Sequence, residues 1–189
     1  MTMSMGMNPV LEAMRFAFRA GKVHGCAIEQ VLPADVCAVL RERVRPGLVR
    51  YELPSRARYP VNTTHQEPEI ARVLTEVAEH IVEKPLAPMI EESRWLRLAH
   101  GDYALSRDDV DRWAARPESY ELVLDFSAAA TGEAHIVYSD GETGFVVQQE
   151  PSMLAVVERR AGLRRWDRYL TLRVGEAEVF RLSLPLSIR

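Results

Sequence analysis

The sequence predicts an α+β fold in which helices come first and a β-barrel of jelly-roll type follows. Before Ser93, apolar residues recur at helical spacing in three segments. After Ser93, the chain consists of short segments rich in Val, Leu and aromatic residues, separated by turn sequences such as Thr131-Gly132 and Asp140-Gly141. Antiparallel strands buttressed by N-terminal helices account for both halves.

Three helices are predicted in the first half. The first begins at Asn8-Pro9 and ends at Gly21, and the second begins at Pro33 and is closed by Pro46-Gly47. The third begins at Pro68 and carries an apolar stripe opposite a charged face, so it should pack against a sheet. The stripe consists of Ile70, Val73, Leu74, Val77, Ala78 and Ile81. A strand from Val23 to Leu32 is predicted between the first two helices.

Seven strands are predicted in the second half. They are the segments 95–105, 120–127, 133–140, 143–150, 152–159, 168–174 and 178–188. The chain of 189 residues suits a single domain, with helices and flanking strands in 1–92 and the barrel core in 93–189.

Composition excludes several kinds of partner. The net charge of -3, from 24 basic and 27 acidic residues, argues against nucleic acid or an anionic membrane. Cys26 and Cys37 form neither a disulfide framework nor a Cys-x-x-Cys metal motif, so a reduced, cytoplasmic location is predicted. Glu12, Arg15 and Arg19 interrupt the N-terminal apolar residues, and neither a signal peptide nor a membrane span is expected.

Three segments follow one another in an order found in one enzyme family. AIEQVLPADVCAVLRERV resembles an opening strand and helix, and WLRLAHGDYALSRDD resembles a strand with the pattern Gly-Asp-x-x-x-x-His-x-Asp. Near the end, VFRLSL is similar to an Arg-x-Ser pair. Together they resemble the iron(II)/2-oxoglutarate-dependent dioxygenases, in the layout of the prolyl 4-hydroxylases. The resemblance extends over most of the chain and implies a double-stranded β-helix, as in jelly-roll and cupin-like proteins.

The resemblance fails at the iron ligands. The family holds its metal with two histidines and one carboxylate. Here Arg107 occupies the first histidine position and Asp109 the carboxylate position. A guanidinium has no acceptor lone pair and cannot be deprotonated, so Arg107 cannot bind iron. The second histidine should fall in RRAGLRRWDRYL, which contains none; Arg164, Arg165 or Trp166 takes its place.

Two other histidines could rebuild a metal site. His100 and His135 both fall in the predicted strands, and a rebuilt site would use His135 and Asp109, with or without His100. His100 is an odd number of residues from Arg107 and Asp109, so strict alternation directs it to the other face unless Gly101 introduces a bulge.

The last strand predicts a binding pocket. Arg181 and Ser183 share one face, opposite the apolar residues Phe180, Leu182, Leu184 and Leu186. In an isolated sheet the face with Arg181 and Ser183 would be exposed to solvent, whereas the resemblance implies that this face lines the barrel interior. Arg107 and Asp109 share a face by the same rule. The predicted pocket has Asp109 as acid or base and binds its ligand through Arg107, Arg181, Ser183, Arg165 and Tyr103.

Three functions are compatible with these residues. The preferred one is a barrel that has lost the iron-binding histidines and binds a small acidic or polar molecule, either catalysing a metal-independent tailoring step or only carrying the ligand, with no cofactor. The second is a working iron(II)/2-oxoglutarate oxygenase with atypical ligands. The third is a regulatory or interaction protein with a vestigial pocket. The sequence predicts neither the substrate nor the oligomeric state.

Overall fold

The computed structural model describes residues 9–48, 50–52, 58–62, 66–102, 119–133, 135–168, 170 and 177–189. The α-helices are Pro9–Arg19 (α1), Ala34–Val44 (α2) and Pro68–Val82 (α3). The first strands are Gly25–Ile28 (β1), Arg50–Glu52 (β2), Arg58–Asn62 (β3), Leu86–Pro88 (β4) and Arg94–Leu98 (β5). The later strands are Ser119–Asp125 (β6), His135–Ser139 (β7), Gly144–Gln148 (β8), Leu154–Arg159 (β9), Arg164–Asp167 (β10) and Val179–Ile188 (β11).

The described strands form two antiparallel sheets. The larger sheet has the order β1-β9-β6-β11-β5-β3-β2, with β4 paired to the C-terminal part of β11. The smaller sheet has the order β10-β7-β8. Among these strands, hydrogen bonding closes neither sheet into a barrel. The prediction of helices combined with antiparallel sheets is confirmed, and the jelly-roll barrel stays a prediction.

The helices cover one face of the larger sheet. The predicted stripe of α3 supplies Leu74, Ala78 and Ile81, each with no exposed surface. They pack in one apolar core with residues of β11 such as Leu182 and Leu184. Burial of this apolar surface is the main stabilising contribution on this side of the sheet.

The opposite face of the larger sheet meets the smaller sheet. A second apolar cluster lies between them and includes Val123 and Val157 from the larger sheet and Ile136 and Val147 from the smaller one. Charged side chains occupy the rest of this space and form the candidate site described below.

Several predicted strand limits were wrong. The strand predicted for 95–105 ends at Leu98, because the chain turns at His100 and Gly101, where Gly101 has a φ of +86°. The Asp102 carboxylate closes this turn by accepting a hydrogen bond from the Ala99 amide at 2.9 Å. The strand predicted for 23–32 is only Gly25–Ile28, since Gln30 adopts a left-handed conformation.

The predicted strand 168–174 can be compared with the structure only at Arg168 and Leu170, and neither belongs to a strand. A strand that was not predicted, β10, lies at Arg164–Asp167. Residues 169 and 171–174 lie outside the described residues. The charged sequence Arg164-Arg165-Trp166-Asp167 concealed this strand, because its inward positions are charged rather than apolar.

The helices agree with prediction. All three lie within one or two residues of the predicted limits, and Arg45–Gly47 continues α2 as a short 3₁₀ turn. None of the described helices combines the length and the apolar character that a bilayer crossing requires.

Candidate functional site: a buried polar cluster between the sheets

Arg181 and Ser183 lie inside the protein, as predicted. Arg181 is 1% exposed and Ser183 is fully buried. Both side chains project from β11 away from the helices, since Phe180, Leu182 and Leu184 on the same strand belong to the helix-side core. The polar face of the last strand therefore meets the smaller sheet and not solvent.

Arg165 is the inward residue among the three candidates for the missing histidine position. It is 5% exposed on β10, whereas Arg164 is exposed and Trp166 is half-buried. The alternation of β10 separates them, because Arg165 and Asp167 share one face and Arg164 and Trp166 share the other. The structure thus brings Arg165, Arg181 and Ser183 together.

Glu121 is the centre of one half of the cluster. This fully buried carboxylate on β6 is contacted by the Arg165 guanidinium and accepts a hydrogen bond from Ser183 Oγ at 2.7 Å. Its other oxygen accepts hydrogen bonds from Arg159 Nη1 and from the Tyr138 hydroxyl, both at 3.2 Å. One carboxylate therefore binds four side chains from β7, β9, β10 and β11.

Asp167 is the centre of the other half. Its carboxylate accepts a hydrogen bond from Arg165 Nη2 at 3.3 Å and is also contacted by Arg181 Nη1. Asp125 lies directly opposite Arg181 in the β6–β11 register, with 3.9 Å between Arg181 Nε and Asp125 Oδ2. Arg165 links the two halves because it reaches both Glu121 and Asp167.

We call this set the polar cluster. It consists of Glu121, Asp125, Tyr138, Arg159, Arg165, Asp167, Arg181 and Ser183. Three arginines and three carboxylates give a formal charge of zero among these residues. Each of the eight is at most 5% exposed, so their interactions are little screened by water.

Burial also changes the acidity of one member. Desolvation raises the pKa of Asp125, although the positive charge of Arg181 and hydrogen bonds from Ser127 act in the opposite direction. The backbone amide of Ser127 donates to Asp125 Oδ1 at 2.9 Å. A carboxyl group with a raised pKa next to a buried arginine is a feature of functional sites, although structural ion-pair networks produce it as well.

Three predicted site residues lie outside the described residues. They are Tyr103, Arg107 and Asp109. Their roles in the pocket stay predictions, and so does the alternative metal site that would combine Asp109 with His135.

The two histidines of that alternative site differ in environment. His100 is exposed at a turn, whereas His135 is half-buried at the start of β7. Burial lowers the pKa of His135, and the positive charges of Arg168 and Arg181 lower it further. Among the described residues, no three His, Cys, Asp or Glu side chains are grouped so that they could hold a metal ion.

The sequence analysis missed four charged members of the cluster, namely Arg159 and the carboxylates Glu121, Asp125 and Asp167. The signal was present, because Glu121 and Asp125 occupy alternate positions of an otherwise apolar strand, as do Arg181 and Ser183. Asp167 was hidden in a segment that was not predicted as a strand. Polar residues that share one face of an otherwise apolar strand can therefore mark a polar interior as well as a solvent face.

Solved structures share the fold of this chain, although sequence comparisons find no relative. No protein-family model and no curated protein matches the sequence. The epimerase SnoN from nogalamycin biosynthesis superposes with a TM-score of 0.70 over 96% of this chain and 84% of its own, at 11% identity. The chain has the fold of the iron(II)/2-oxoglutarate-dependent oxygenases.

Two further oxygenase structures support the assignment. A prolyl-4-hydroxylase from Pseudomonas putida gives a TM-score of 0.64 at 12% identity, covering 95% of this chain and 99% of that one. HygX from Streptomyces hygroscopicus, solved with nickel, 2-oxoglutarate and hygromycin B, gives 0.59 at 10% identity, covering 90% and 85%. SnoN has also been solved with Fe3+, α-ketoglutarate and nogalamycin RO. At such low sequence identities the likeness shows that this chain has the oxygenase fold. Its activity has to be inferred from its own residues.

Proposed function

We propose that this chain is an oxygenase-fold protein that has lost the iron site and binds a small polar molecule between its two sheets. The observation that carries the proposal is the pairing of Arg165 and Arg181 with Glu121 and Asp167. Arg165 comes from the segment in which the resemblance requires a histidine, and its side chain is turned inward.

The described residues do not fit a ferrous ion. Asp167 is contacted by two guanidinium groups, those of Arg165 and Arg181, and Glu121 by those of Arg159 and Arg165. A dication bound to either carboxylate would lie beside two permanent positive charges that cannot act as ligands.

The described residues do not fit 2-oxoglutarate either. In some members of the family an Arg-x-Ser pair holds the far carboxylate of this cofactor, but Arg181 is engaged by Asp167 and Asp125. With all three carboxylates ionised the described charges of the polar cluster cancel, and with Asp125 protonated they leave one positive charge, so a buried dicarboxylate would add at least one uncompensated negative charge. The charge balance favours a neutral polar or zwitterionic ligand over a strongly acidic one, which would need Arg107 or would have to displace Asp167.

Any proton transfer on such a ligand would use a carboxyl group. Asp109 is the proposed acid or base. Asp125 is a described alternative, because its raised pKa favours the protonated form that a general acid requires.

The double-stranded β-helix architecture and the cellular location are part of the same proposal. We take the two sheets as the halves of a double-stranded β-helix, with β5, β11, β6 and β9 facing β10, β7 and β8. The apolar cluster and the polar cluster between the sheets support this view. The free thiols of Cys26 and Cys37 are consistent with a reduced, cytoplasmic location.

Anaerobic loading with Fe(II) tests the loss of the metal site. Protein loaded in this way, freed of excess metal and examined by elemental analysis should hold no stoichiometric iron, and it should not consume 2-oxoglutarate. One iron per chain that is lost in Asp109→Ala would overturn the proposal.

A thermal-shift screen tests the ligand. Neutral polar compounds, zwitterions, carboxylates and phosphates are compared on the wild type, Arg181→Lys and Arg181→Ala, with Arg164→Ala as the matched control from the outer face of β10. Compounds that bind the polar cluster should stabilise the wild type and the control, and Lys should not restore the contacts of Arg181 with both Asp125 and Asp167. Stabilisation that is equal in all four proteins would place the ligand elsewhere.

An active iron(II)/2-oxoglutarate oxygenase is the second candidate. It is favoured by the metal and 2-oxoglutarate present in the structures of HygX and SnoN. The iron-loading experiment decides between the two. A regulatory protein with a vestigial pocket would show neither iron nor a stabilising small molecule.

A further inference from the structure

A groove lies between the edges of the two sheets, and none of the residues that line it belongs to the polar cluster. Among the described strands, β1 pairs only with β9 and β8 pairs only with β7. The groove between β1 and β8 has a volume of about 720 Å³ and is lined by all of Gly144–Gln148 and by Gly25, Cys26 and Ala27. We call it the edge groove. An edge strand leaves alternate backbone N–H and C=O groups without a strand partner, so two such edges border one cavity.

The floor of the edge groove is apolar. Phe145 stacks on Tyr138 with 5.2 Å between the ring centroids, and Val147 and Met153 are 6% and 8% exposed. Gly25 allows β1 to approach this ring, since a Cβ there would lie 2.6 Å from Phe145 Cε2. Side chains that enter the groove would therefore meet hydrocarbon.

Strand β8 lacks the usual protection of an edge strand. Its sequence GFVVQ contains no charged residue and no proline, and Val146 is 59% exposed. Proteins normally blunt such edges with lysine, proline or a bulge, because an open edge is a template for pairing with another strand.

The edge groove is basic at one end. Strand β8 ends at Gln148, and a turn then leads to the start of β9 at Leu154. Because Leu154 pairs with Ile28, the end of the groove near Gln148 contains Glu29. Lys22 and Arg160 therefore lie toward Gly144 and line that end. Within the described part of the chain, neither cation has a carboxylate at ion-pair distance, whereas the neighbouring His24 pairs with Glu158 at 2.6 Å.

We propose that the edge groove binds an extended peptide segment of a partner protein by strand addition to β8. A strand antiparallel to β8, the commoner orientation, would end with its C-terminus beside Lys22 and Arg160. The peptide therefore has apolar side chains at alternate positions and a carboxylate at that end, either an acidic side chain or its own C-terminus. Five residues cover β8, a length of about 17 Å.

A second copy of this chain is a poorer occupant. Pairing of two β8 edges across a two-fold axis would use five residues from each copy and leave the apolar floor uncovered. Such a contact falls short of the roughly 1,200–2,000 Å² that a stable interface buries. A peptide inside the groove contacts the floor, one strand edge and the basic end together.

Selection from a randomised display library of extended peptides provides the first test. Free and blocked C-termini are displayed in separate arms, which separates a terminal carboxylate from an acidic side chain. We expect enrichment of alternating apolar residues that end in a carboxylate. Failure to enrich any such sequence in either arm would overturn the proposal.

Binding of the enriched peptide to charge and edge variants provides the second test. Val146→Lys and the double variant Lys22→Glu/Arg160→Glu should each weaken binding about tenfold, as expected when an edge is blocked or two rim charges are reversed. The matched controls are Val39→Lys, which changes a valine on α2 that is 50% exposed, and Arg164→Glu/Arg168→Glu. Equal losses in variants and controls would contradict the assignment.

Hydrogen exchange locates the bound peptide. Slower exchange of the amides of Gly144–Gln148 on binding is the expected result. Protection confined to other segments would overturn strand addition, and so would a concentration-dependent dimer that Val146→Lys abolishes. None of the substituted residues belongs to the polar cluster, so failure of these tests would leave the proposed function standing, and failure of the iron and ligand tests would leave this proposal standing.

Discussion

The two faces of β11 are equally buried but are built from different chemistry. Phe180, Leu182 and Leu184 face the helices within a continuous hydrocarbon core, whereas Arg181 and Ser183 face the smaller sheet within the polar cluster. Hydrocarbon burial stabilises the fold directly. Buried ion pairs offset most of their attraction by the cost of desolvating the charges, so apolar residues of similar volume would serve stability at least as well.

This difference indicates which face of β11 has a role beyond stabilising the fold. The helix-side face can be explained by packing alone. The polar face meets the polar cluster, whose eight side chains come from five strands, and such a buried arrangement of charges is costly to build for stability. This contrast is why the polar cluster, and not the apolar core, is the candidate site.

The largest expected effect comes from removing the centre of the polar cluster. Glu121→Ala leaves the guanidinium groups of Arg159 and Arg165 buried without their shared carboxylate. The free energy of unfolding should fall by about 3–5 kcal/mol, the range for breaking a buried pair. Urea unfolding measures it, with Glu121→Gln as the variant that keeps the shape and loses the charge. A loss below about 1 kcal/mol would show that water reaches these arginines.

The apolar face provides the next effect. Leu184→Ala removes a side chain that is 1% exposed and leaves a cavity beneath the helices. A loss of about 3 kcal/mol is expected, within the range of such truncations. The neighbouring Ser183→Ala is the matched control on the opposite face. If Ser183→Ala were the more damaging of the two, the polar cluster would contribute more to stability than the core does.

A smaller effect should appear as a pH dependence. The raised pKa of Asp125 means that the folded protein keeps this proton to a higher pH than the unfolded chain does. The stability that Asp125 contributes is therefore complete below its ordinary pKa of 3.8 and is lost as the pH rises through the folded-state value.

Asp125→Asn removes this titration. Relative to the wild type, the variant should gain stability as the pH rises above 3.8. Urea unfolding at a series of pH values measures the difference between the two proteins. If the wild type instead became more stable relative to Asp125→Asn as the pH rises, the positive charge of Arg181 would lower the pKa of Asp125 by more than burial raises it.

The helix side of the fold could be predicted from the sequence because it depends on local periodicity. The stripe of α3 and the apolar residues of β11 repeat at 3.6 and 2 residues, and each was placed correctly. Strand limits were less predictable, since a single backbone conformation such as that of Gly101 ended a strand that the apolar pattern continued.

The polar cluster could be predicted only in part. Alternation placed Arg181 and Ser183 on one face, but the resemblance to a barrel fold was needed to turn that face inward. Alternation could not show which of Arg164, Arg165 and Trp166 points inward, because β10 was not predicted as a strand. The partners Glu121 and Asp167 come from distant segments, and their pairing depends on sheet order, which periodicity does not contain.

The smallest expected effect tests whether the ion pairs of the polar cluster matter for stability because they are buried, and not merely because the charges are paired. Arg72 and Glu76 on α3 form an ion pair at 2.6 Å, with 66% and 58% of their side chains exposed. This N–O distance is shorter than the 3.2 Å between Arg159 and Glu121, so distance alone would rank the surface pair as the stronger. Water and salt screen an exposed pair, and Glu76→Ala should change the free energy of unfolding by no more than about 0.5 kcal/mol. Measured beside Glu121→Ala in the same urea series, it gives the ratio of an exposed to a buried carboxylate within one protein. Equal losses would mean that the charges of the polar cluster are solvated, and the contrast between the two faces of β11 would then fail.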